Sequence, residues 1–239
     1  MITGGSRGIG AATAVLLASR GWDVALTYRS RADEAAAVVA ACERRGRRAV
    51  ALAADLARPD DVARMWAELD QRVGPIEGFV NNAGIVSPSG RVEDYDAARL
   101  RRIFDLNVVG AFLAAAGAVR RMSTAHGGRG GAIVNVSSRA AQLGSANEYV
   151  DYAASKAALD AFTVGLAQEV AGDGIRVVAV RPGLIDTDIH EPGRLERLGS
   201  TPPLGRPGTA DEVAGAIAWL LGDEASYVTG AVLDVGGGR

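Results

Sequence analysis

Short, nearly continuous apolar runs alternate with longer stretches of helical period along almost the whole chain. The runs lie at 24–27, 49–53, 79–80, 132–136, 176–180 and 231–235, and the helical patterns at 11–20, 32–45, 62–73, 100–122, around 152–170 and 213–221. A strand that reads as an unbroken apolar run is one buried on both faces, as in a parallel sheet covered by helices. Punctuation agrees: Gly21 is a helix stop, and Thr209 with Glu212 spells a capping box before the last helix. Counting Met1-Ile2 as the first strand, about seven strands separated by helices predict an α/β fold, a doubly wound parallel sheet with helices on both faces. An eight-stranded barrel would need one strand more. The first strand is expected to be truncated, because only two residues precede Thr3-Gly4. That strand is central in such a sheet, so a groove should open where it is missing. No low-complexity linker divides the chain, so 1–239 is expected to be one domain, with 184–206 as a mobile lid.

The polar residues that follow the runs change this picture from a fold to a site. Thr3-Gly4-Gly5-Ser6-Arg7-Gly8-Ile9-Gly10 opens a helix, and a helix N-terminus with no side chains in the way admits a phosphate. Arg29 and Ser30 follow the next run, Asp55 the third, Asn81-Asn82-Ala83-Gly84 the fourth, Ser137-Ser138 the fifth and Arg181-Pro182-Gly183 the sixth. All sit at carboxyl ends, the edge at which open parallel sheets bind ligands. The glycine loop is no Walker loop, since no Gly-Lys-Ser/Thr follows. It does match the G-x-S-x-G elbow of hydrolases, but the His126-Gly127-Gly128 segment that would supply an oxyanion hole comes after the serine, not before it. One further pair stands out: Lys156 is the only lysine among 26 basic residues, and it follows Tyr152 by one helical turn.

Composition narrows the partners. A net charge of −2 offers no field for nucleic acid or an anionic membrane. One cysteine and two histidines cannot build a metal site, so no metal is expected. The longest apolar run, 108–119, is short of the roughly 20 residues that span a bilayer. A cytoplasmic enzyme acting on a small molecule is the expectation.

With these motifs together, the chain resembles the short-chain dehydrogenase/reductase family over its whole length. T-G-x-x-x-G-x-G appears as Thr3, Gly4, Gly8 and Gly10, N-N-A-G as Asn81 to Gly84, the helix asparagine as Asn107, Y-x-x-x-K as Tyr152 and Lys156, and P-G with its threonine as Pro182, Gly183 and Thr187. The resemblance implies a Rossmann-like, nicotinamide-dependent carbonyl/alcohol oxidoreductase that assembles as a homo-tetramer or dimer. It implies Asn107, Ser138, Tyr152 and Lys156 as catalytic. It implies a cofactor set of Thr3, Gly4, Ser6, Arg7, Gly8, Ile9, Gly10, Arg29, Ser30, Asp55, Leu56, Asn82, Ala83, Gly84, Tyr152, Lys156, Pro182, Gly183, Ile185 and Thr187. One departure is spacing: Ser138 precedes Tyr152 by 14 residues where the family has 13, which an extra residue in the loop 144–148 would absorb.

The chemistry follows from residue types. A free tyrosine holds its proton too tightly for work at neutral pH, and a lysine on the same helix face should lower its pKa. Tyr152 is then the general acid/base, and the resemblance implies that Ser138 holds the carbonyl oxygen and that Asn107 anchors a proton-relaying water. An arginine after the second strand suits the 2′-phosphate of NADP(H), whereas an acid there would suit NAD; Arg29 and Arg7 therefore predict NADP(H). The rivals are a Schiff-base lyase built on Lys156, a non-catalytic NADP-sensing protein, a sugar or polyol dehydrogenase and a 3-oxoacyl carrier-protein reductase. The last would use Arg101, Arg102, Arg120, Arg121 and Arg129 to dock an acidic carrier. Residues 114–117, Phe162 and Leu166 are candidates for subunit contacts or for core.

Overall fold

In the computed structural model, which describes residues 1–239, the apolar runs pair side by side and all in parallel. Strand β1 (Val24–Tyr28) pairs with β2 (Ala49–Ala53), while β3 (Gly78–Asn81), β4 (Gly131–Val136), β5 (Ile175–Pro182) and β6 (Val232–Val235) pair in succession. The start of the chain joins the two groups. Ile2 bridges Leu26 on one side and Val80 on the other. Its N–H donates to Ala25 O at 2.8 Å and its carbonyl accepts from Thr27 N at 2.9 Å, while Val80 N donates to Met1 O at 2.8 Å. The sheet order is therefore β2-β1-Ile2-β3-β4-β5-β6. Six strands form, and the seventh, central place is held by a single doubly bridged residue. A small cavity lined by Leu17, Trp22 and Leu221 opens beside Met1.

Nine helices complete the chain: α1 (Gly8–Ser19), α2 (Ala32–Glu43), α3 (Pro59–Arg72), α4 (Ala97–Phe104), α5 (Ala111–Met122), α6 (Ala140–Leu143), α7 (Val150–Val170), α8 (Arg194–Leu198) and α9 (Ala210–Leu221). Helices α1, α2 and α9 bury Leu17, Val38 and Ile217 on one face of the sheet, and α3, α5 and α7 bury Met65, Ala115 and Leu166 on the other. Each fully buried large apolar side chain contributes about 1.5–3 kcal/mol, which explains why the strands need no alternation. The capping box on α9 forms as expected, with both Thr209 and Glu212 engaged.

From α4 to α5 the chain is helical from Ala97 to Met122, passing through a π-helical turn at Asp105–Gly110. This run is long and apolar enough by composition to cross a membrane, but half of its most apolar window is packed inside the protein. It is a core helix. Ala114, Ala115 and Gly117 lie in the core rather than at a surface, and a Cβ on Gly117 would sit 2.0 Å from the Trp66 ring nitrogen. Leu166 is core as well, whereas Phe162 stacks on the exposed Phe112 at 3.8 Å.

Helix α7 is fixed at its N-terminal end by a charge pair. The buried Asp151 carboxylate accepts from Arg99 Nε at 2.8 Å and Nη2 at 3.2 Å, and also caps Tyr152 N at 2.9 Å. A bidentate pair of this kind holds its partners in one geometry.

Candidate functional site

Because the strand order reverses between β1 and β3, with Ile2 between them, the loops after these strands diverge and leave a crevice. A cavity of about 780 Å³ fills it, running from the glycine loop to the segment after β5. Of the residues the sequence assigns to the site, Gly4, Ser6, Arg7, Gly8, Ile9, Arg29, Ser30, Asp55, Leu56, Asn82, Ala83, Gly84, Ser138, Tyr152, Lys156, Pro182, Gly183, Ile185 and Thr187 line it.

Thr3, Gly10 and Asn107 do not, and each has a physical reason. Thr3 is fully buried, its hydroxyl accepting from Asn82 N at 2.9 Å and Ala83 N at 3.0 Å, so it locks the loop after β3 to the glycine loop from behind. Gly10 is needed for closeness: a Cβ there would lie 2.3 Å from Gly4 O and 2.6 Å from Asn82 Nδ2. Asn82 in turn donates to the carbonyls of Thr3 and Gly4 at 2.9 and 3.0 Å. Asn107, in the π turn, accepts from Ile85 N and donates to Ile85 O, both at 2.9 Å, and donates to Ser155 Oγ at 3.1 Å. Both hydrogens of its amide nitrogen are engaged, while Oδ1 accepts one bond. It ties the backbone after Gly84 to α7. A π turn at such a place is common in functional sites.

The residues present fit a dinucleotide phosphate. Helix α1 opens with Gly8, Ile9 and Gly10 and has no acidic residue in its first turn, leaving outward N–H groups for an anion. Arg29 is exposed after β1 with no carboxylate partner, and Arg7 makes only a long 3.4 Å contact with the exposed Asp188. At the end of β2, Asp55 Oδ1 accepts from Ala57 N at 3.1 Å.

At the other end, the two serines after β4 separate as strand geometry demands. Ser137 is buried and donates to Lys156 O at 3.0 Å, whereas Ser138 faces the cavity, its hydroxyl accepting from Ala140 N at 3.1 Å and lying on the Tyr152 side. Between Ser138 and Tyr152 the backbone takes left-handed conformations at Gly144, Ser145 and Asn147.

Burial dominates the electrostatics. It pushes the Tyr152 phenol above its ordinary value, an effect opposed by the Ser138 hydroxyl. It pulls the Lys156 ammonium down to about 8, opposed by the Asp160 charge. The expected lowering of Tyr152 by Lys156 is therefore not what this chain by itself produces. Lys156 Nζ donates to Val136 O at 2.8 Å and stands 5.7 Å from the Tyr152 ring centre, turned toward the β4 end rather than the phenol.

Sequence reasoning missed the far wall. Tyr149 packs edge-on against Tyr152, with ring centres 5.8 Å apart, and Arg194 of α8 lies 4.9 Å over the Tyr149 ring while donating to Glu148 at 2.5 Å. The i,i+3 spacing of the two tyrosines signals their shared face. Of the five arginines that would dock an acidic carrier, Arg121 pairs with Asp70 and Arg129 with Glu77. The hydrolase reading falls on position, since His126 precedes β4 at the amino edge of the sheet and Ser6 lies at the carboxyl edge.

Residues 4–239 match the family model described as Enoyl-(Acyl carrier protein) reductase. The chain is 50% identical to the oxidoreductase YgfF of Escherichia coli (strain K12), covering 100% of this chain and 98% of that one. It is 37% identical to a 3-oxoacyl-[acyl-carrier-protein] reductase of Synechocystis, covering 100% and 95%. Among solved structures, a short chain dehydrogenase from Burkholderia cenocepacia J2315 in complex with NADP superposes with a TM-score of 0.92 at 38% identity, over 99% of this chain and 96% of that one. A blue fluorescent protein from a metagenomic library, in complex with NADPH, gives 0.91 at 38%, over 100% and 97%.

Proposed function

Because the chain belongs to the short-chain dehydrogenase/reductase family, we propose that it is an NADP(H)-dependent oxidoreductase interconverting a carbonyl and a secondary alcohol within one catalytic domain, 1–239, closed by a lid at 184–206. The observation that carries this reading is the meeting of Ser138, Tyr152 and Lys156 at one end of a cavity whose other end is the glycine loop with Arg7 and Arg29. The bound cofactor supplies the hydride. The chain's own residues do the rest.

Ser138 donates a hydrogen bond to the carbonyl oxygen and holds it beside the Tyr152 hydroxyl. Tyr152 delivers its proton to the oxygen as negative charge grows there, and takes it back in the alcohol direction. Burial favours the neutral phenol, which suits a proton donor awaiting reduction. Lys156, one turn on and lining the same cavity, would hold the ribose of the cofactor. Asn107 keeps α7 and the loop after β3 in register. Arg29 with Ser30 and Arg7 receives the 2′-phosphate, and Asp55 with Leu56 borders the adenine.

A panel of β-ketoacyl thioesters, sugars and small ketones with NADPH tests this. Oxidation of NADPH by at least one ketone class is expected. Tight NADPH binding with no turnover on any carbonyl would favour a non-catalytic sensor. Assembly is proposed as a homo-tetramer or dimer, supported by the exposed Val109 of the π-helical turn, Phe112 and Leu113 of α5 and Val164 of α7, and by Trp219, Tyr227 and Leu233 elsewhere. A monomer in sedimentation would overturn that assignment. The proposed location is the cytoplasm, checked by cell fractionation.

A further inference from the structure

We infer that Arg194 recognises an anionic substituent of the substrate, so that the preferred carbonyl compounds are oxo-acids bearing a carboxylate some distance from the reacting carbon. This rests on the reading of the cavity as a reductase site. Six arginines line that cavity, and five have evident work. Arg7, Arg29 and Arg31 surround the glycine-loop end, where Arg31 pairs with Glu34. Arg139 is held by Asp234 and by the carbonyl of Arg239, and Arg239 reaches the Thr201 hydroxyl.

Arg194 differs. Its side chain is only 9% exposed, and its single hydrogen bond runs from Nη1 to Glu148. Nε is buried without any partner, and Nη2 has none either. Burying even one guanidinium donor without a partner is costly. Were Arg194 merely a latch for the lid, the planar fork would sit two-on-two against Glu148, the geometry it favours with carboxylates. Instead Glu148 takes one corner and leaves the Nε–Nη2 edge free. A carboxylate is the group whose two oxygens match that edge.

Position completes the argument. The guanidinium lies 4.9 Å over Tyr149, and that ring abuts Tyr152 at 5.8 Å, so one aromatic ring separates the cation from the proton donor. Leu143, Leu184 and Leu198 line the same cavity and suit the hydrocarbon between a carboxylate and a ketone. The neighbouring Glu191, which would repel such a ligand, is turned to Ser89, accepting from its N–H at 2.8 Å and its hydroxyl at 3.2 Å.

The test is a series of keto-acids of increasing length, each beside its methyl ester, assayed with NADPH and titrated calorimetrically into the NADP⁺ complex. Wild type is expected to prefer the acids. In Arg194→Gln the acid-to-ester ratio of kcat/KM should fall about 10- to 100-fold, the loss of a hydrogen-bonded charge, with partial recovery in Arg194→Lys. Glu148→Gln, which removes the competing carboxylate, should raise acid affinity. Equal losses for acid and ester in Arg194→Gln would make the residue a latch and overturn the inference. So would equal use of acids and esters by wild type, and that result would leave the reductase reading standing. If no ketone is reduced, the reductase reading falls and the substrate assignment falls with it, even where acids bind and Arg194→Gln weakens them.

Discussion

Lys156 is the only lysine of the chain and it is buried, 3% exposed, with no carboxylate hydrogen-bonded to it. Its pKa is pulled from 10.5 to about 8. Below about pH 8 the folded protein carries a buried charge at a cost. Between about 8 and 10.5 the folded lysine is neutral while the unfolded one still binds a proton, so stability rises with pH across that window. Each pKa unit corresponds to about 1.4 kcal/mol, and the part of the shift that titrates from about pH 8 to about pH 10 amounts to roughly 2 kcal/mol. Cys42, Tyr149 and Tyr152, whose pKa values burial raises, act in the opposite direction at the alkaline end. The comparison is therefore with Lys156→Met, which keeps those three. Denaturant unfolding of the cofactor-free protein at several pH values should show the stability gap between wild type and Lys156→Met shifting by about 2 kcal/mol in favour of wild type as pH rises. Parallel curves would refute the claim that this lysine is desolvated.

Other expected outcomes follow from the same geometry. Arg29→Ala should weaken NADPH about 10- to 100-fold and leave NADH nearly unchanged, since a charge-assisted phosphate contact is lost; an unaltered NADPH-to-NADH ratio in a titration would contradict the assignment. Arg99→Ala leaves the buried Asp151 carboxylate without its partner and should cost about 3–5 kcal/mol in chemical denaturation, with much of the loss recovered in the Arg99→Leu/Asp151→Asn pair. A loss below about 1 kcal/mol would mean the pair behaves as a surface salt bridge.

The strands were legible because a sheet covered on both faces writes each one as an apolar run; the span 49–53 coincides with β2 to the residue. The ligand edge was legible because polar residues recur where those runs end. Side-chain direction was less so. Ser137 and Ser138 are distinguished only by which one meets α7, and Thr3, Gly10 and Asn107 serve the site from behind, through contacts with residues far along the chain. The Glu148–Arg194 pair joins residues 46 apart through a lid whose course has no periodicity to read. The expected lysine effect on Tyr152 failed for a related reason: helical spacing puts two residues on one face but does not say that Nζ will turn to the carbonyl of Val136.

The central claim is that Tyr152 is the proton donor of a carbonyl reduction. Tyr152→Phe removes one oxygen and leaves the ring in its contact with Tyr149. Single-turnover rates with saturating NADPH and the best ketone of the panel, measured beside NADPH affinity, test it most directly. The account predicts unchanged NADPH affinity with turnover lowered by at least about 10²-fold, the share of general-acid catalysis. Near-normal turnover in Tyr152→Phe would contradict it.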